Sequence, residues 1–505
     1  MGKGSFMLVL LVGLTIAFGS ATSAASLPRL KADPDTARGG RIVDTKGREV
    51  ILRGVNVNSL GQYWQGTSKP PTLPLEKKDP ARIAAIGWNL VRLIVSWSRV
   101  EPRPGVINTA YLDRVARWTG LMEEEGIYVM LDFHQDAWGP TLAAPDGQVC
   151  TPPAQPAFGW DGAPGWATLD DGQPRCFTSN REINPAVRAA WTNFFDDKPA
   201  SDGVGIQTHY VRMLKRVAKR FAKDPGVAGI DIMNEPNAFG PVQTEQLGRF
   251  YGRSLKSIRA GEKAGGGFRH LVFFEPGVLW SLLGSGAPGP FNFDSNVVYS
   301  PHLYGGSIGA TGPPSRESFE NARAEAAGFG GAPVLTGEWG GDPLRADGTG
   351  EDYFSQHLDL QDEFRIGSVL WTWKQSCGDP HAATHDPDTA PPLPPWSVYR
   401  MDCEGNSNRI AGQYGKLVRS LRRAYVRRAP GRLASMSFDP DTGRLRASGK
   451  GARRTDGPLE VYLPLTRARL TLKGLNRVHA KKVGPGMVVW LAPKGGPWEL
   501  RAKVG

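Results

Sequence analysis

The chain has 505 residues, four cysteines and a formal net charge of +12, with a pI near 9.5. That length exceeds one ordinary core and suits an α/β barrel of roughly 250 residues enlarged by insertions, plus one small domain. The basic residues are scattered over helical stretches such as 211–223 without an aromatic-basic motif, which argues against nucleic acid as a partner. They read as solvated helix faces whose field weakly attracts anionic lipid or sialylated glycolipid, in a salt-dependent way.

At the start, Lys3, an apolar run over 7–18 and small residues over 20–26 read as a secretory signal spanning 1–25. A membrane anchor is the rival reading, but the run is shorter than the roughly 20 residues needed to span a bilayer. A secreted protein is therefore expected. In an oxidising compartment the four cysteines can pair. Cys150 and Cys176 flank one Pro/Gly-rich loop, Cys377 and Cys403 flank another, and local closure of each is the simplest of the three pairings. No Cys-x-x-Cys or Cys-His cluster supports a metal site instead.

From residue 26 to 428 the texture is one of short β-branched runs alternating with amphipathic stretches, the pattern of a parallel sheet wrapped by helices. Eight candidate strands occur at 50–57, 90–97, 128–134, 227–233, 270–275, 297–303, 333–339 and 368–373. Tyr111, Val115, Trp118 and Met122, and again Tyr210, Leu214, Val217 and Phe221, repeat at helical spacing between them. Eight alternations predict a closed (β/α)8 barrel rather than an open sheet. Long insertions at 139–174 and 378–396 follow the third and eighth strands, on the side where such barrels build their sites. From 429 to 505 short alternating segments (459–463, 470–472, 487–491, 498–504) predict a C-terminal β-sandwich without a catalytic cluster.

The residues that carry chemistry stand at strand ends. The fourth strand closes as Asp231-Ile232-Met233-Asn234-Glu235-Pro236, and the seventh as Leu335-Thr336-Gly337-Glu338-Trp339-Gly340. Two carboxylates facing each other across a barrel mouth are what glycosidic cleavage needs, one to protonate the leaving oxygen and one to attack the anomeric carbon. Either motif alone reads equally well as a turn. Together, on strands four and seven, they point to Glu235 as acid/base and Glu338 as nucleophile. Asn234 is placed to meet the sugar 2-hydroxyl. Arg92 on the second strand is a fixed cation for the nucleophile, against the alternative of a wall ion pair. His134, Gln135 and Asp136 end the third strand, His302 and Tyr304 the sixth, and Trp371, Trp373 and Lys374 the eighth, as a polar ring over an aromatic floor. The two histidines suggest no metal, because a carboxylate glycosidase needs none and no third ligand is evident.

At these residues the sequence resembles glycoside hydrolase family 5, and within it the endoglycoceramidases. The likeness rests on Ile51-Leu52-Arg53-Gly54-Val55-Asn56, Val91-Arg92-Leu93-Ile94-Val95-Ser96-Trp97, Asp132-Phe133-His134-Gln135-Asp136, 231–236, Ser300-Pro301-His302-Leu303-Tyr304 and Glu460-Val461-Tyr462-Leu463-Pro464. It implies a retaining enzyme that cuts the β-bond between a glycan and ceramide. No cofactor is expected, and a monomer in transient contact with a lipid surface or micelle is expected. The family pattern assigns Arg92, His302 and Tyr304 to the nucleophile's surroundings, and His134, Asp136 and Trp373 to the sugar nearest ceramide, with Lys374 beside them as a further candidate substrate contact. The histidine-glutamine-aspartate run favours the glycolipid branch over polysaccharide-cleaving relatives, many of which carry His-Asn there. Lys374 stands where lactosylceramide-cleaving members have a small polar residue, leaving the sugar series open between lactosyl and galactosyl types. Trp138, Phe158, Trp160, Trp166, Phe177 and Trp396 in the long loops either line a lipid groove or pack beneath their own loops. The competing class is a secreted β-glucanase or mannanase. A noncatalytic sugar-binding barrel would have lost one of the two carboxylates.

Overall fold

The computed structural model describes residues 26–178, 180–308, 311–344, 348–381 and 396–505. The expected signal segment 1–25 and most of the insertion after strand eight lie outside them. Eight parallel strands form the central sheet: β1 (Arg53–Val57), β2 (Leu90–Val95), β3 (Tyr128–Phe133), β4 (Val227–Asp231), β5 (Leu271–Phe274), β6 (Val297–Tyr299), β7 (Leu335–Trp339) and β8 (Gly367–Leu370). Their order, β6-β5-β4-β3-β2-β1-β8-β7, is closed by a parallel bridge from Tyr299 to Val334, with the Tyr299 amide donating to Pro333 O at 2.9 Å. The expected (β/α)8 barrel is present, and each strand falls within two residues of its expected start except β1. There Val50 belongs instead to a separate strand, Arg48–Val50.

Side-chain alternation explains why these runs become barrel walls. In β2, Val91, Leu93 and Val95 join the outer core under the helices, while Leu90 joins the small apolar cluster inside the barrel. In β3, Val129, Leu131 and Phe133 face out and Tyr128 and Met130 face in. Leu52, Leu271, Phe273, Val298, Leu335 and Val369 complete the inner layer at the N-terminal end. The same parity carries Asn56, Arg92, Asp132 and Glu275 inward one step further toward the mouth.

The helices that cover the barrel follow the expected spacing. In Thr109–Glu124 the buried positions include Tyr111, Val115, Trp118 and Met122, and the Asn108 side chain caps the start by accepting from the Tyr111 amide at 3.0 Å. In Ile206–Phe221, Lys219 and Arg220 occupy the last turn, where the helix dipole favours cations.

The C-terminal region forms two sheets of seven and four strands sharing one apolar core, with Val461, Val489 and Leu491 meeting Leu433, Leu445 and Leu500. The division expected at residue 428 falls inside a strand, Tyr425–Pro430. The larger sheet also takes in three N-terminal strands, Leu30–Asp33, Arg41–Asp44 and Arg48–Val50. Backbone pairing across nearly the full chain length drives this: Arg48, Glu49 and Val50 lie opposite Pro430, Ala429 and Arg428. Tyr425 Oη donates to Gly87 O at 2.8 Å and Tyr462 Oη to Ala85 O at 3.0 Å. The sandwich thus rests on the N-terminal end of the barrel and leaves the mouth free.

Candidate active site

The floor of the mouth is an ionic network centred on Arg92, which is completely buried. Its Nε donates to Asp231 at 3.0 Å. Nη1 donates to Glu338 Oε1 at 2.7 Å and to Asn56 at 3.1 Å. Nη2 lies 2.9 Å from each of Asp132, Asn234 and Glu275. Burial opposes the guanidinium charge, but Asp132, Asp231, Glu275 and Glu338 together hold its pKa well above the ordinary value. Arg92 therefore pins the nucleophile candidate and the end of β4 at once.

Glu338 lies at the end of β7, where pairing with β8 shifts register between Thr336 and Trp339. Its Oε1 is held by Arg92, and its Oε2 accepts from Tyr304 Oη at 2.9 Å. Burial raises the Glu338 carboxyl above its ordinary value, and His302 and Arg92 oppose that rise. Glu235 faces it. A carboxylate oxygen of each lies within 4.8 Å of the other and of a His302 nitrogen. The nearest oxygens are thus close enough for both carboxylates to act on one bond.

The chain enters the site at Glu235 with φ +36°, a left-handed conformation that costs a non-glycine residue about 1–3 kcal/mol. Several bonds over-determine it. The Glu235 amide donates to Glu275 Oε2 at 2.8 Å, and Gln135 Nε2 donates to Asn234 O at 2.7 Å and Glu235 O at 2.9 Å. His302 completes the bridge, with Nδ1 2.9 Å from Glu235 and 3.6 Å from Glu338, and Nε2 3.2 Å from Glu275. Burial disfavours its charge, but Glu275 and Glu338 hold its pKa well above the ordinary value. It supports the acid/base candidate more closely than the nucleophile.

His134 Nδ1 donates to Asp132 at 2.7 Å, and its ring stacks on Trp371 with centroids 5.3 Å apart. Burial works against its charge, while Asp132 and Asp161 raise its pKa well above normal. Asp136 accepts from Arg181 and lies 2.7 Å from His381 Nε2. His381 lies in turn 2.8 Å from Asp379, and despite burial these two aspartates lift it to about 10.

His134, Asp136, Asn234, Glu235, Tyr304, Trp371 and Glu338 all line one cleft of about 500 Å³. Trp373 and Lys374 do not, which corrects the expected floor. Beyond Leu370 the strand ends. The Trp373 amide donates to Asn56 O at 3.0 Å, and its ring packs edge-on against Trp88 and Tyr399 in the core outside the barrel. Lys374 is buried against Asp79, 2.7 Å away, as a structural ion pair.

The loops after strands three and eight build one wall. Phe158, Trp160, Phe177 and Trp396 line the cleft, whereas Trp138 and Trp166 pack beneath the loop against Trp97. Arg181 lies over the Trp160 ring at 4.1 Å. The expected pairings Cys150–Cys176 and Cys377–Cys403 are both formed, with Cα atoms 5.8 and 5.6 Å apart, and close one loop each. The opposite wall, Val278, Leu279, Leu282 and Ile308, comes from loops after β5 and β6 that the sequence did not single out. Among the described residues no helix is long and apolar enough to cross a membrane.

Asn56, Asp132, Asp231 and Glu275 are the site residues that sequence reasoning passed over. Each is a polar residue within or just past a mostly apolar strand run, and that was the available signal. Arg181 opens a single 3-10 turn and His381 sits in a loop, and neither offered one.

A closed parallel barrel with two glutamates at the ends of β4 and β7 defines the class. Residues 43–376, more than half of the chain, match the family model described as cellulase, glycosyl hydrolase family 5. The chain belongs to that family. It is similar to a crystal structure of an endogalactoceramidase, at 38% identity and a TM-score of 0.83, over 94% of this chain and 99% of that one. It is also similar to endo-glycoceramidase II from Rhodococcus sp. in complex with ganglioside GM3, at 25% identity and a TM-score of 0.70, over 94% and 100% of the two chains. A structure of that Rhodococcus enzyme as a lactosyl-enzyme intermediate is similar too, at 25% identity and a TM-score of 0.68. Endoglycoceramidase I of Rhodococcus hoagii (strain 103S) is 28% identical over 299 residues, 56% of this chain and 54% of that protein. The chain spans about half the length of the curated relatives it matches.

Proposed function

We propose that this protein is a retaining β-glycosidase that releases an intact glycan, or galactose, from ceramide. One observation carries the lipid part of the reading: a single cleft joins the two glutamates and a polar floor to an apolar wall that reaches solvent. Leu282 is 42% exposed and Ile308 37% exposed on that wall, and Leu283 beside them is 68% exposed. A sugar needs the first half of such a cleft and acyl chains need the second. The likeness to an endogalactoceramidase over nearly the whole chain supports the same substrate class and favours a galactosyl linkage.

In the proposed mechanism Glu338 attacks the anomeric carbon while Glu235 donates its proton to the departing ceramide oxygen. The C1–O bond breaks as the glycosyl ester forms. Glu235, now anionic and facing His302, then takes a proton from water, whose oxygen attacks C1 and frees Glu338. Arg92 and Tyr304 hold the two oxygens of Glu338 so that one lone pair stays aimed at the sugar. His134 and Asp136 present polar atoms to the sugar ring, with Trp371 as an apolar face. No cofactor takes part. The protein is proposed to act as a secreted monomer, the segment 1–25 serving as its export signal.

The test is purified protein in mild detergent with lactosylceramide, galactosylceramide, 6-linked digalactosylceramide, a ganglioside, carboxymethylcellulose and mannan. Release of intact glycan plus ceramide is the expected result. Cleavage of the polysaccharides with no ceramide released would overturn the lipid reading and leave a glucanase or mannanase.

A further inference from the structure

At the N-terminal end of the barrel, opposite the cleft, a second cavity of about 350 Å³ opens where three stretches meet. These are the loop 35–40, the helix Arg316–Gly328 with the turn 331–334 before β7, and residues 365–366 before β8. Its walls are small, with Gly39, Gly40, Ala324 and Ala327, and its polar lining is Arg38, Arg323 and Arg365 together with Asp35 and Thr36.

The charges around it do not balance. Arg38 pairs with Asp35 at 2.7 Å, and Arg432 reaches the same carboxylate at 3.4 Å. Arg41 pairs with Asp33 at 2.7 Å and approaches Glu49 at 3.5 Å, while Glu49 also accepts from the Leu433 amide at 2.9 Å. Arg323 and Arg365 are left with main-chain acceptors: Arg323 donates to Phe364 O, and Arg365 donates to Glu363 O at 3.1 Å. Neither forms an ion pair among the described residues. Burial, with repulsion from Arg365 and Arg432, pulls Arg323 down to about 10 although Glu49 opposes it. Arg323 and Arg365, both half-buried, line one recess and repel each other; the buried Glu49 carboxylate acts on both and offsets part of that repulsion, and an anion between them would relieve the rest.

We infer that this cavity binds a small oxyanion, phosphate or sulfate, between Arg323 and Arg365. Planar guanidinium forks match the paired oxygens of such ions, and the small walls leave room for one beneath the surface. The bound ion would join the N-terminal loop, the helix and the base of β8, so that occupancy stabilises the fold by linkage. The site lies outside the hydrolytic cleft and does not depend on the proposed activity.

The experiment is thermal unfolding and calorimetric titration of the full protein with inorganic phosphate and, separately, sulfate, with chloride holding ionic strength constant. A saturable rise in Tm and a matching isotherm are expected. Arg323→Gln and Arg365→Gln should each weaken binding by about tenfold or more. Arg316→Gln, which removes a surface cation paired with Glu320 and Glu363, should not. Arg365→Lys keeps the charge and should retain measurable binding, which guards against a glutamine variant that fails to fold. Phosphatidylcholine vesicles with and without phosphatidic acid separate a free ion from a lipid headgroup. Absence of a saturable shift, a shift unchanged in both glutamine variants, or Arg323-dependent vesicle binding without any response to inorganic phosphate would each overturn the inference.

Discussion

The floor and the walls of the cleft are built on opposite principles. The floor is held by strands: Asn56, Asp132 and Glu275 are fixed by barrel parity, buried and tied to the buried guanidinium of Arg92. The wall bearing Phe158, Trp160, Phe177 and Trp396 is held by loops that two disulfides close. In the floor, geometry follows from backbone register and displacement is resisted by unscreened charge. In the wall, geometry follows from side-chain packing and from cross-links across irregular chain. Chemistry needs the first kind of precision, and accommodating the proposed lipid-linked glycan needs the second.

Changes in the floor should therefore abolish turnover or folding, and changes in the wall should alter substrate binding. The largest effect is expected for Glu338→Gln, which should lower kcat by at least about 10⁴-fold with an unchanged circular dichroism spectrum. Next comes Arg92→Met, which strands four carboxylates around an uncharged side chain and should destabilise the protein by about 3–5 kcal/mol in denaturant unfolding. Removing the first disulfide with Cys150→Ser and Cys176→Ser should cost up to about 3 kcal/mol and raise KM for glycolipid more than it lowers kcat, because Phe158 and Phe177 lose their brace.

The smallest effect sharpens the comparison through pH. His302 has a folded pKa raised above 6.5, so the stability it contributes is fully present below 6.5 and is lost as pH rises through the higher folded value. The difference in unfolding free energy between wild type and His302→Gln should accordingly shrink on the alkaline side. The acid limb of kcat/KM should lie above 4.5, because burial raises Glu338 and the nucleophile must be ionised.

The same contrast explains how much could be read from sequence. All eight barrel strands were legible because β-branched runs alternating with helical periods leave few other solutions, and the two glutamates were legible because they end strands four and seven. Asn56, Asp132, Asp231 and Glu275 were within reach of the same parity argument, since a polar residue at an inward position of a barrel strand must be paired. Trp373 shows where parity stops working. It shares register with Trp371, but the strand ends at Leu370 and the following chain hydrogen-bonds to Asn56 and turns its ring into the outer core. Lys374 follows it to Asp79. The convergence of Arg181 and His381 on Asp136 joins residues more than two hundred positions apart through a 3-10 turn and a loop, and no local pattern encodes that. The pairing of strand Arg48–Val50 with Tyr425–Pro430 was hidden for the same reason.

The most direct test of the account is mass spectrometry of the protein after reaction with a 2-deoxy-2-fluoro-β-glycoside that carries a good leaving group. The expected result is one glycosyl mass added to the peptide containing Glu338, absent in Glu338→Gln and lost again on long incubation with an acceptor. An adduct on any other residue, or turnover of unmodified glycolipid with inverted anomeric configuration, would contradict the assignment of Glu338 as the nucleophile.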